Sequence, residues 1–431
     1  MKYILFITSF ILWCTFSVPL QTSATTVDTV NQQINDTNTK IQALDKEIKK
    51  YQDQISVTSE QSNTLANLIK ELTLTRDKLL KEVDQTQVKI TKTNLVIGSI
   101  SDDISLQQKS INNSKVLLAN MFRDLNESDN TEFLEKMLSQ TSVIEASREY
   151  NDILSLNKKV NEYVKDLKQK VDTLNVTKNE KETEQQNLSK LKKILVDKKL
   201  AVDITKKEKT TILTETKNQE SNYKKLLAES QKKRDAFEKE LENYEAQLKF
   251  ILNPNLLPKE GSGILSWPLD NVFITQLFGK TVSAKRLYTS GSHSGVDFRA
   301  SIGTSVKSMG SGTVIGTGDT DIYCKGASFG KWVFIKYDNG LSSTFGHLSV
   351  ISSTAGQKVK TGDVVGLSGN TGHSTGPHLH VTVYASQGSD VKTVPSLSCN
   401  GKTFIMPIAP VNAYLDPMLY LPKISSNMVK K

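Results

Sequence analysis

The sequence has few helix-breaking residues over more than half of its length. Between Leu20 and Asn253 it contains no proline and a single glycine, Gly98, whereas the other 22 of its 23 glycines follow Pro254. Proline and glycine interrupt helices and favour turns, so their scarcity argues against a fold of short strands in the first region. The composition predicts a helical region at 25–253, a linker at 254–263 and then a turn-rich domain.

Histidine is scarce and unevenly placed. The chain contains five histidines, and all of them lie between residues 293 and 380. Neutral imidazole is the commonest side-chain metal ligand and a natural base near pH 7, so the clustering favours a shared metal site. His378 and His380 stand two residues apart in STGPHLHVTV, which places both on the same face of a β-strand. A lone pair of this kind would fit the polar face of a strand equally well.

Long hydrophobic runs are absent after residue 20. The first 24 residues combine an early lysine, an apolar stretch and Thr22-Ser23-Ala24, a pattern typical of a signal peptide (1–24) cleaved after Ala24. The alternative is a retained membrane anchor. In the first case we expect secretion across the cytoplasmic membrane, to the periplasm or to the cell wall and surface.

Cysteine is almost absent too, with three residues in the chain. Signal cleavage would remove Cys14 and leave Cys324 and Cys399, which in an exported protein either form a disulfide or remain two thiols. The formal net charge of +9 is compatible with attraction to an anionic cell wall or lipid surface. A nucleic-acid partner is disfavoured by the export signal and by the spread of lysines along the predicted helices.

The helical region carries a 3.5-residue apolar repeat, which favours a coiled coil. A polar cluster at 126–130 interrupts it, and a second helix is predicted from about Ile153 to Leu252. Two arms without breakers fold most simply into an antiparallel hairpin, and a parallel homodimer of one rod is the alternative. The irregular segment 119–160 between the arms is a candidate partner-binding tip. The repeat includes Val27, Val30, Ile34, Ile41, Leu44, Ile48, Ile55, Leu65, Ile69, Leu72, Leu79, Val83, Ile90 and Leu118.

The glycine-rich domain, predicted at 264–423 before a short tail at 424–431, has the signals of β-structure. Asn339-Gly340 separates the apolar run 333–337 from the extended run 341–347, which is a strong hairpin signal. No segment is long enough for a βαβ unit, so an antiparallel sheet is expected. The fold class is therefore α + β multidomain, with a coiled-coil hairpin followed by an antiparallel all-β domain.

Histidine and aspartate in this domain provide the groups that a catalytic zinc site needs. His293 and Asp297 lie in HSGVD, His347 lies in FGHLS, and His378 and His380 follow. Three protein ligands and one open position suit a catalytic zinc, and the two remaining imidazoles could move a proton and stabilise an oxyanion. The spacing alone does not say which of these groups are ligands.

These motifs, with SWPLDN, GTSVKSMGSGTVI and GQKVKTGDVVGLSGNTG around them, resemble the LytM/lysostaphin-type zinc metallopeptidases, which cleave peptide cross-links of bacterial peptidoglycan. The resemblance covers about 264–385. It implies a compact antiparallel β domain with a groove for an extended peptide. It also implies Zn²⁺ ligation by His293, Asp297 and His380, with His347 and His378 acting on the water and the oxyanion.

The sequence departs from the family pattern at a few positions. Phe345-Gly346 stands where Tyr-Ala is commoner, Val381-Thr382 stands where Phe-Glu is commoner, and 320–328 resembles an insertion. His373, often arginine in the family, is expected to be a groove or surface residue. None of these departures removes a predicted ligand or base.

The whole layout of export signal, coiled-coil hairpin and LytM-type domain resembles the EnvC-type division proteins, in which the hairpin engages the membrane complex FtsEX. That resemblance implies an FtsEX-like partner for the tip. EnvC itself has lost metal-binding residues and activates separate amidases, whereas this sequence keeps the full set.

The leading interpretation is therefore an exported zinc metalloendopeptidase that remodels peptidoglycan, with its coiled coil controlling placement or activation. One alternative is a non-catalytic, EnvC-like activator of another murein hydrolase, which would not need all five site residues. Another is a structural rod whose β domain only binds peptidoglycan. Zinc content and hydrolysis separate these readings.

Overall fold

The computed structural model describes residues 27–60, 64–129, 143–248, 252–280, 292–374, 376–396, 399, 401–425 and 428–429. The predicted signal peptide and the middle of the predicted tip lie outside these residues. Within them, no helix combines the length and the apolar character that crossing a bilayer requires. The chain divides into two compact units, one of residues 1–38 and 94–182 and the other of residues 39–93 and 183–431.

The region free of proline forms long helices, as predicted. They are α1 Val27–Glu60, α2 Leu65–Asp129, α3 Val143–Thr216 and α4 Glu220–Gln247. The prediction of one continuous helix in each arm was wrong, because α1 ends before α2 begins and α3 ends before α4 begins. At the second break Lys217 and Asn218 both have positive φ angles, 51° and 55°, and the Asn222 amide donates to the Thr216 carbonyl. A left-handed residue after the last turn ends a helix in this way.

Helices α2 and α3 pair antiparallel in each unit, because residue numbers rise along one helix as their partners fall along the other. This pairing confirms the predicted hairpin. Helix α1 folds back on α2 in the same antiparallel sense, so the first arm consists of two helices. The contacts are Gln107–Thr177 and Ser114–Lys170 in the first unit, and Thr73–Lys209, Glu82–Lys198, Asp45–Gln85 and Glu47–Lys81 in the second.

The glycine-rich region forms the predicted antiparallel β domain, in which every pair of named strands is antiparallel. Its main sheet has the order β1-β2-β9-β6-β5-β4-β7, with β12 beside β9 and with β8 joining β3 to β6, while β10 and β11 form a separate hairpin. The strands are β1 Ile274–Gln276, β2 Val296–Arg299, β3 Ser305–Lys307, β4 Gly312–Asp319, β5 Lys331–Tyr337, β6 Leu341–Ile351, β7 Lys358–Val359, β8 Val364–Ser368, β9 His378–Ala385, β10 Asp390–Ser396, β11 Lys402–Ile408 and β12 Tyr414–Leu415.

Two apolar clusters stabilise this domain. One lies against the main sheet and includes Phe298 and Phe345. The other lies under the β10–β11 hairpin and includes Trp332 and Phe404, against which Tyr244 at the end of α4 packs. A disulfide between Cys324 and Cys399, with Cα atoms 5.8 Å apart, ties the loop after β4 to that hairpin and decides between the two states that the sequence left open.

In the second unit, α2 and α3 also pack on the β domain. Leu79 and Ala201 are fully buried and form one cluster with Val350 and Leu367. The approach is close at Gly303, where an added Cβ atom would lie 2.4 Å from a methyl group of Leu79. A second cluster joins Leu65, Leu68, Leu72 and Tyr223 to Ile302.

Hydrogen bonds between α3 and the β domain surround these apolar clusters. The Ser352 hydroxyl donates to Asp197 at 2.6 Å and the Asn370 amide donates to Glu208 at 2.5 Å. Lys193 donates to the Ser352 carbonyl. We call the surface formed by α2 and α3 on residues 302–303, 350–352 and 367–370 the helix–sheet contact.

Candidate metal centre and catalytic site

Strand register brings the site together. Asp297 on β2 lies directly opposite His380 on β9, and His380 lies opposite Gly346 on β6. His347 follows Gly346, and His378 precedes His380 by two residues on the same face of β9. Residues distant in sequence therefore meet on three adjacent strands at the middle of the sheet.

His293, Asp297 and His380 form a compact buried group whose candidate ligand atoms all lie within 4.8 Å of one another. Asp297 Oδ1 lies 2.9 Å from His380 Nδ1 and 3.3 Å from His293 Nε2, and the two imidazole nitrogens lie 3.2 Å apart. Two imidazole nitrogens and one carboxylate oxygen, converging on one point, are a donor set that suits a divalent metal such as zinc.

Hydrogen bonds orient both imidazoles of this group. His293 Nδ1–H donates to the Leu277 carbonyl at 3.1 Å, and His380 Nε2–H donates to the Thr382 hydroxyl at 2.8 Å. Such contacts fix the tautomer of a metal-ligating histidine and leave its other nitrogen free for the metal. The residues present therefore fit a metal ion held by His293 Nε2, Asp297 Oδ1 and His380 Nδ1.

Gly295, in the middle of HSGVD, permits the close approach of β2 and β9. A Cβ atom at this position would lie 2.4 Å from the Val381 carbonyl oxygen and 2.8 Å from His380 Nε2. Any side chain there would displace His380, so the small residue is required by the geometry of the site.

His347 and His378 face each other beside this group, with ring centroids 4.6 Å apart. His347 Nδ1–H donates to the Thr371 carbonyl at 2.8 Å, and His378 Nδ1–H donates to the Gly376 carbonyl at 2.8 Å. Each ring therefore keeps its Nε2 for chemistry. His378 Nε2 lies 3.7 Å from Asp297 Oδ1, which directs that nitrogen toward the candidate metal position.

The backbone at His347 has a positive φ angle of 59°, which is unusual for a residue with a side chain. Its N–H donates to the Phe329 carbonyl at 2.7 Å, and this bond helps to hold the conformation. Uncommon backbone geometry of this kind clusters at functional sites, where surrounding contacts over-determine it.

Burial and neighbouring charges set the protonation of the site. Burial lowers the pKa of His347 well below its usual value, and the nearby His378 and His380 imidazoles lower it further. Burial also lowers the pKa of His380. Burial would raise the pKa of Asp297, but the His293 and His378 imidazoles outweigh it and hold that pKa well below its usual value. These shifts favour an ionised Asp297 carboxylate and unprotonated His347 and His380 imidazoles, and a deprotonated carboxylate and a neutral imidazole are the forms that bind metals.

The four histidines and one aspartate that the sequence analysis predicted for the site lie together in the structure. His373 does not belong to this group. The His373 backbone N–H donates to the Ser328 carbonyl at 2.7 Å. Sequence reasoning missed Thr371 and Thr382, which hold two of the imidazoles. Thr382 stands at the position noted as a departure from the family pattern. The two-residue period along β9 places it on the face of His378 and His380, so its role could have been inferred.

Residues 291–393 match the model of Peptidase family M23. Among similar proteins, the peptidoglycan DD-endopeptidase ShyA of Vibrio cholerae is 43% identical over 88 residues, which are 20% of this chain and 19% of that protein. Lysostaphin of Staphylococcus simulans is 41% identical over 90 residues, which are 21% of this chain and 17% of that protein. The matched stretch is thus less than a quarter of the chain, and it spans about a fifth of each relative's length.

Among solved structures, the catalytic domain of lysostaphin from Staphylococcus simulans is 27% identical and is similar with a TM-score of 0.25, over 35% of this chain and 91% of that one. A zinc-containing peptidase from Vibrio cholerae is 30% identical with a TM-score of 0.25, over 30% of this chain and 37% of that one.

Proposed function

We propose that the protein is an exported zinc metalloendopeptidase that hydrolyses peptide cross-links of bacterial peptidoglycan, and the match of residues 291–393 to the model of Peptidase family M23 supports this proposal. The observation that carries the proposal is the convergence of His293 Nε2, Asp297 Oδ1 and His380 Nδ1 on one buried point. The relatives named as a peptidoglycan endopeptidase and as lysostaphin support the substrate class.

The residues around that point supply the rest of the chemistry. A zinc ion held there would polarise the scissile carbonyl and lower the pKa of a water molecule. His347 is kept unprotonated at Nε2, because its Nδ1–H donates to the Thr371 carbonyl and burial lowers its pKa, so it is placed to accept a proton from the attacking water. His378 Nε2 lies 3.7 Å from Asp297 Oδ1, which places this nitrogen where an N–H donor would stabilise the tetrahedral oxyanion.

The helical region gives the enzyme a means of control. The helix–sheet contact covers loops that border the site, since Asn370 precedes Thr371 and Ile302 follows β2. Its core includes Leu79 and Leu367, both almost completely buried. A ligand that pulled α2 and α3 away would free these loops for an extended peptide. We therefore propose that the docked helices restrain the peptidase domain, in a role in cell-wall remodelling or division.

A partner that releases the helices would bind the tip at 119–160. We propose that this partner is an FtsEX-like membrane complex. The supporting observation is the exposure of large apolar side chains near the tip, such as Phe122 at 52% and Leu154 at 49%. Residues 130–142 of this segment lie outside the described structure.

Release of dye from labelled peptidoglycan by the purified chain tests the catalytic proposal. Chelation of the metal should abolish release, and restoring zinc should recover it. Mass spectrometry of the soluble products then identifies the peptide bond that is cut. If the folded, zinc-loaded protein releases no dye, even after the helices are undocked, the enzyme proposal fails. The result would then favour the interpretation as an activator of another hydrolase.

A further inference from the structure

The segment Thr320–Gly330, which contains the stretch that resembled an insertion, is joined to the turn that supports His347. The Asp321 side chain forms this connection. One oxygen of its carboxylate accepts the Gly326 N–H at 2.7 Å, and the other accepts the Gly372 N–H, also at 2.7 Å. The second bond reaches across 51 residues of sequence, so it is a tertiary contact of the folded domain rather than a local turn.

The Gly372 N–H belongs to the same peptide group as the Thr371 carbonyl, which accepts the His347 Nδ1–H at 2.8 Å. His347 and Asp321 thus bind opposite ends of a single planar amide. Because the peptide group is rigid, fixing its N–H also fixes the direction of its carbonyl. A carboxylate at one end polarises the amide and strengthens the hydrogen bond at the other end, as in other chains of hydrogen bonds.

We propose that Asp321 is a positioning residue for His347, acting through the Thr371–Gly372 peptide group. The arrangement resembles the pairing of a buried aspartate with a catalytic histidine, in which the carboxylate holds the imidazole in the correct tautomer and orientation, except that one amide stands between the two. The inference rests on the proposed function insofar as His347 is taken to accept the proton.

The other contacts between the segment Thr320–Gly330 and the turn at Thr371–Gly372 are close enough to couple Asp321 to His347. The Thr371 hydroxyl accepts the Lys331 N–H at 2.9 Å and donates to the Leu348 carbonyl at 2.8 Å. The two backbones touch at Gly330 and Gly372, which have φ angles of 61° and 65°. A Cβ atom on Gly372 would lie 2.1 Å from the Gly330 nitrogen, so no side chain fits between the segments.

The segment is held from its far side as well. The Cys324–Cys399 disulfide ties it to the β10–β11 hairpin, and the Thr320 hydroxyl, which is fully buried, accepts the Gly330 N–H at 2.9 Å. The pKa of Asp321 is raised, chiefly by burial, and the hydrogen bonds from Gly372 and Gly326 partly offset this rise. Both oxygens act as acceptors, which is the role of the ionised form.

Asp321→Asn tests the proposal, because the amide keeps the shape of the side chain but can present an acceptor to only one of the two N–H groups. With a soluble cross-linked peptide dimer from peptidoglycan as substrate, we expect kcat to fall about 10- to 100-fold, the usual effect of losing a supporting contact, with KM unchanged. Asp321→Glu, which keeps the charge, should recover part of kcat. Asp363→Asn is the matched control, since Asp363 also accepts a backbone N–H, from Lys360 in the turn after β7, and it should leave kcat unchanged.

A second readout does not depend on turnover. In ¹⁵N-detected spectra of the histidine rings of the metal-loaded protein, His347 should be the Nδ1–H tautomer with a bare Nε2, and Asp321→Asn should convert it to a mixture. An Nε2–H tautomer in the wild-type protein would overturn the proposal without any variant, which covers the case in which Asp321→Asn does not fold. An unchanged kcat or an unchanged His347 spectrum in a folded Asp321→Asn would also overturn it. If the wild-type protein hydrolyses no peptidoglycan, the proposed function fails, and the tautomer measurement still decides this inference.

Discussion

Glu71 on α2 makes the helix–sheet contact sensitive to pH. Its side chain is 2% exposed, and it lies near Glu208 of α3 and Arg299 of β2. Its pKa is raised from 4.5 to about 7, chiefly by burial and also by the Glu208 charge, while Arg299 partly opposes the rise. Burial also raises the pKa of Glu208, although its hydrogen bond with Asn370 lowers it.

The sign and size of the effect follow from linkage. A carboxyl whose pKa is raised on folding holds its proton more tightly in the folded state. The contribution of Glu71 to folding stability is therefore greatest below pH 4.5 and is lost as pH rises through about 7. The difference between a pKa of 4.5 and one of about 7 corresponds to about 3 kcal/mol. Glu71→Gln, which resembles the protonated acid, should therefore leave stability unchanged near pH 4.5 and raise it by about 3 kcal/mol near pH 8.

Denaturant unfolding of the full chain, followed by far-UV circular dichroism at the two pH values, measures this difference. Comparing the variant with the wild-type protein cancels the pH dependence of all other groups. Glu47→Gln is the control, because the Glu47 side chain is 51% exposed and pairs with Lys81 on the helix surface, and it should change neither value by more than about 0.5 kcal/mol. Equal pH dependence in Glu71→Gln and the wild-type protein would refute the assignment of a buried, protonated Glu71.

Three further predictions concern the site, the disulfide and the helix–sheet contact. His380→Ala should lose both zinc and turnover, whereas His378→Ala should keep zinc and lose turnover, as measured by elemental analysis and dye release; wild-type activity in either variant would contradict the site. Replacing Cys324 and Cys399 together by serine should lower the free energy of unfolding by about 4.5 kcal/mol, because the bond closes a loop of 75 residues, and an unchanged denaturation midpoint would contradict this. Leu79→Ala should cost about 2–5 kcal/mol at the helix–sheet contact and increase dye release, and unchanged or reduced release from the folded variant would argue against restraint by the helices.

The sequence by itself determined the outline of this protein. The absence of proline and the near absence of glycine before Pro254 are enough to predict long helices, because helix formation depends largely on local composition and periodicity. The clustered histidines and the two-residue period of His378 and His380 are enough to place candidate ligands on one strand face, because alternation along a strand is also a local rule.

Only the tertiary structure decided which residues far apart in the chain contact one another. The break after Thr216, where Lys217 and Asn218 have positive φ angles, is one that the apolar repeat does not specify. The packing of Leu79 on Gly303 and the burial of Glu71 join segments more than 200 residues apart, for which no spacing rule exists. The bond from Asp321 to Gly372 depends on two loops meeting backbone to backbone, and a lone aspartate in a loop gives no sign of it. Periodicity fixes the local structure of a segment, whereas the free energy of burial in the whole fold selects the neighbours of each side chain.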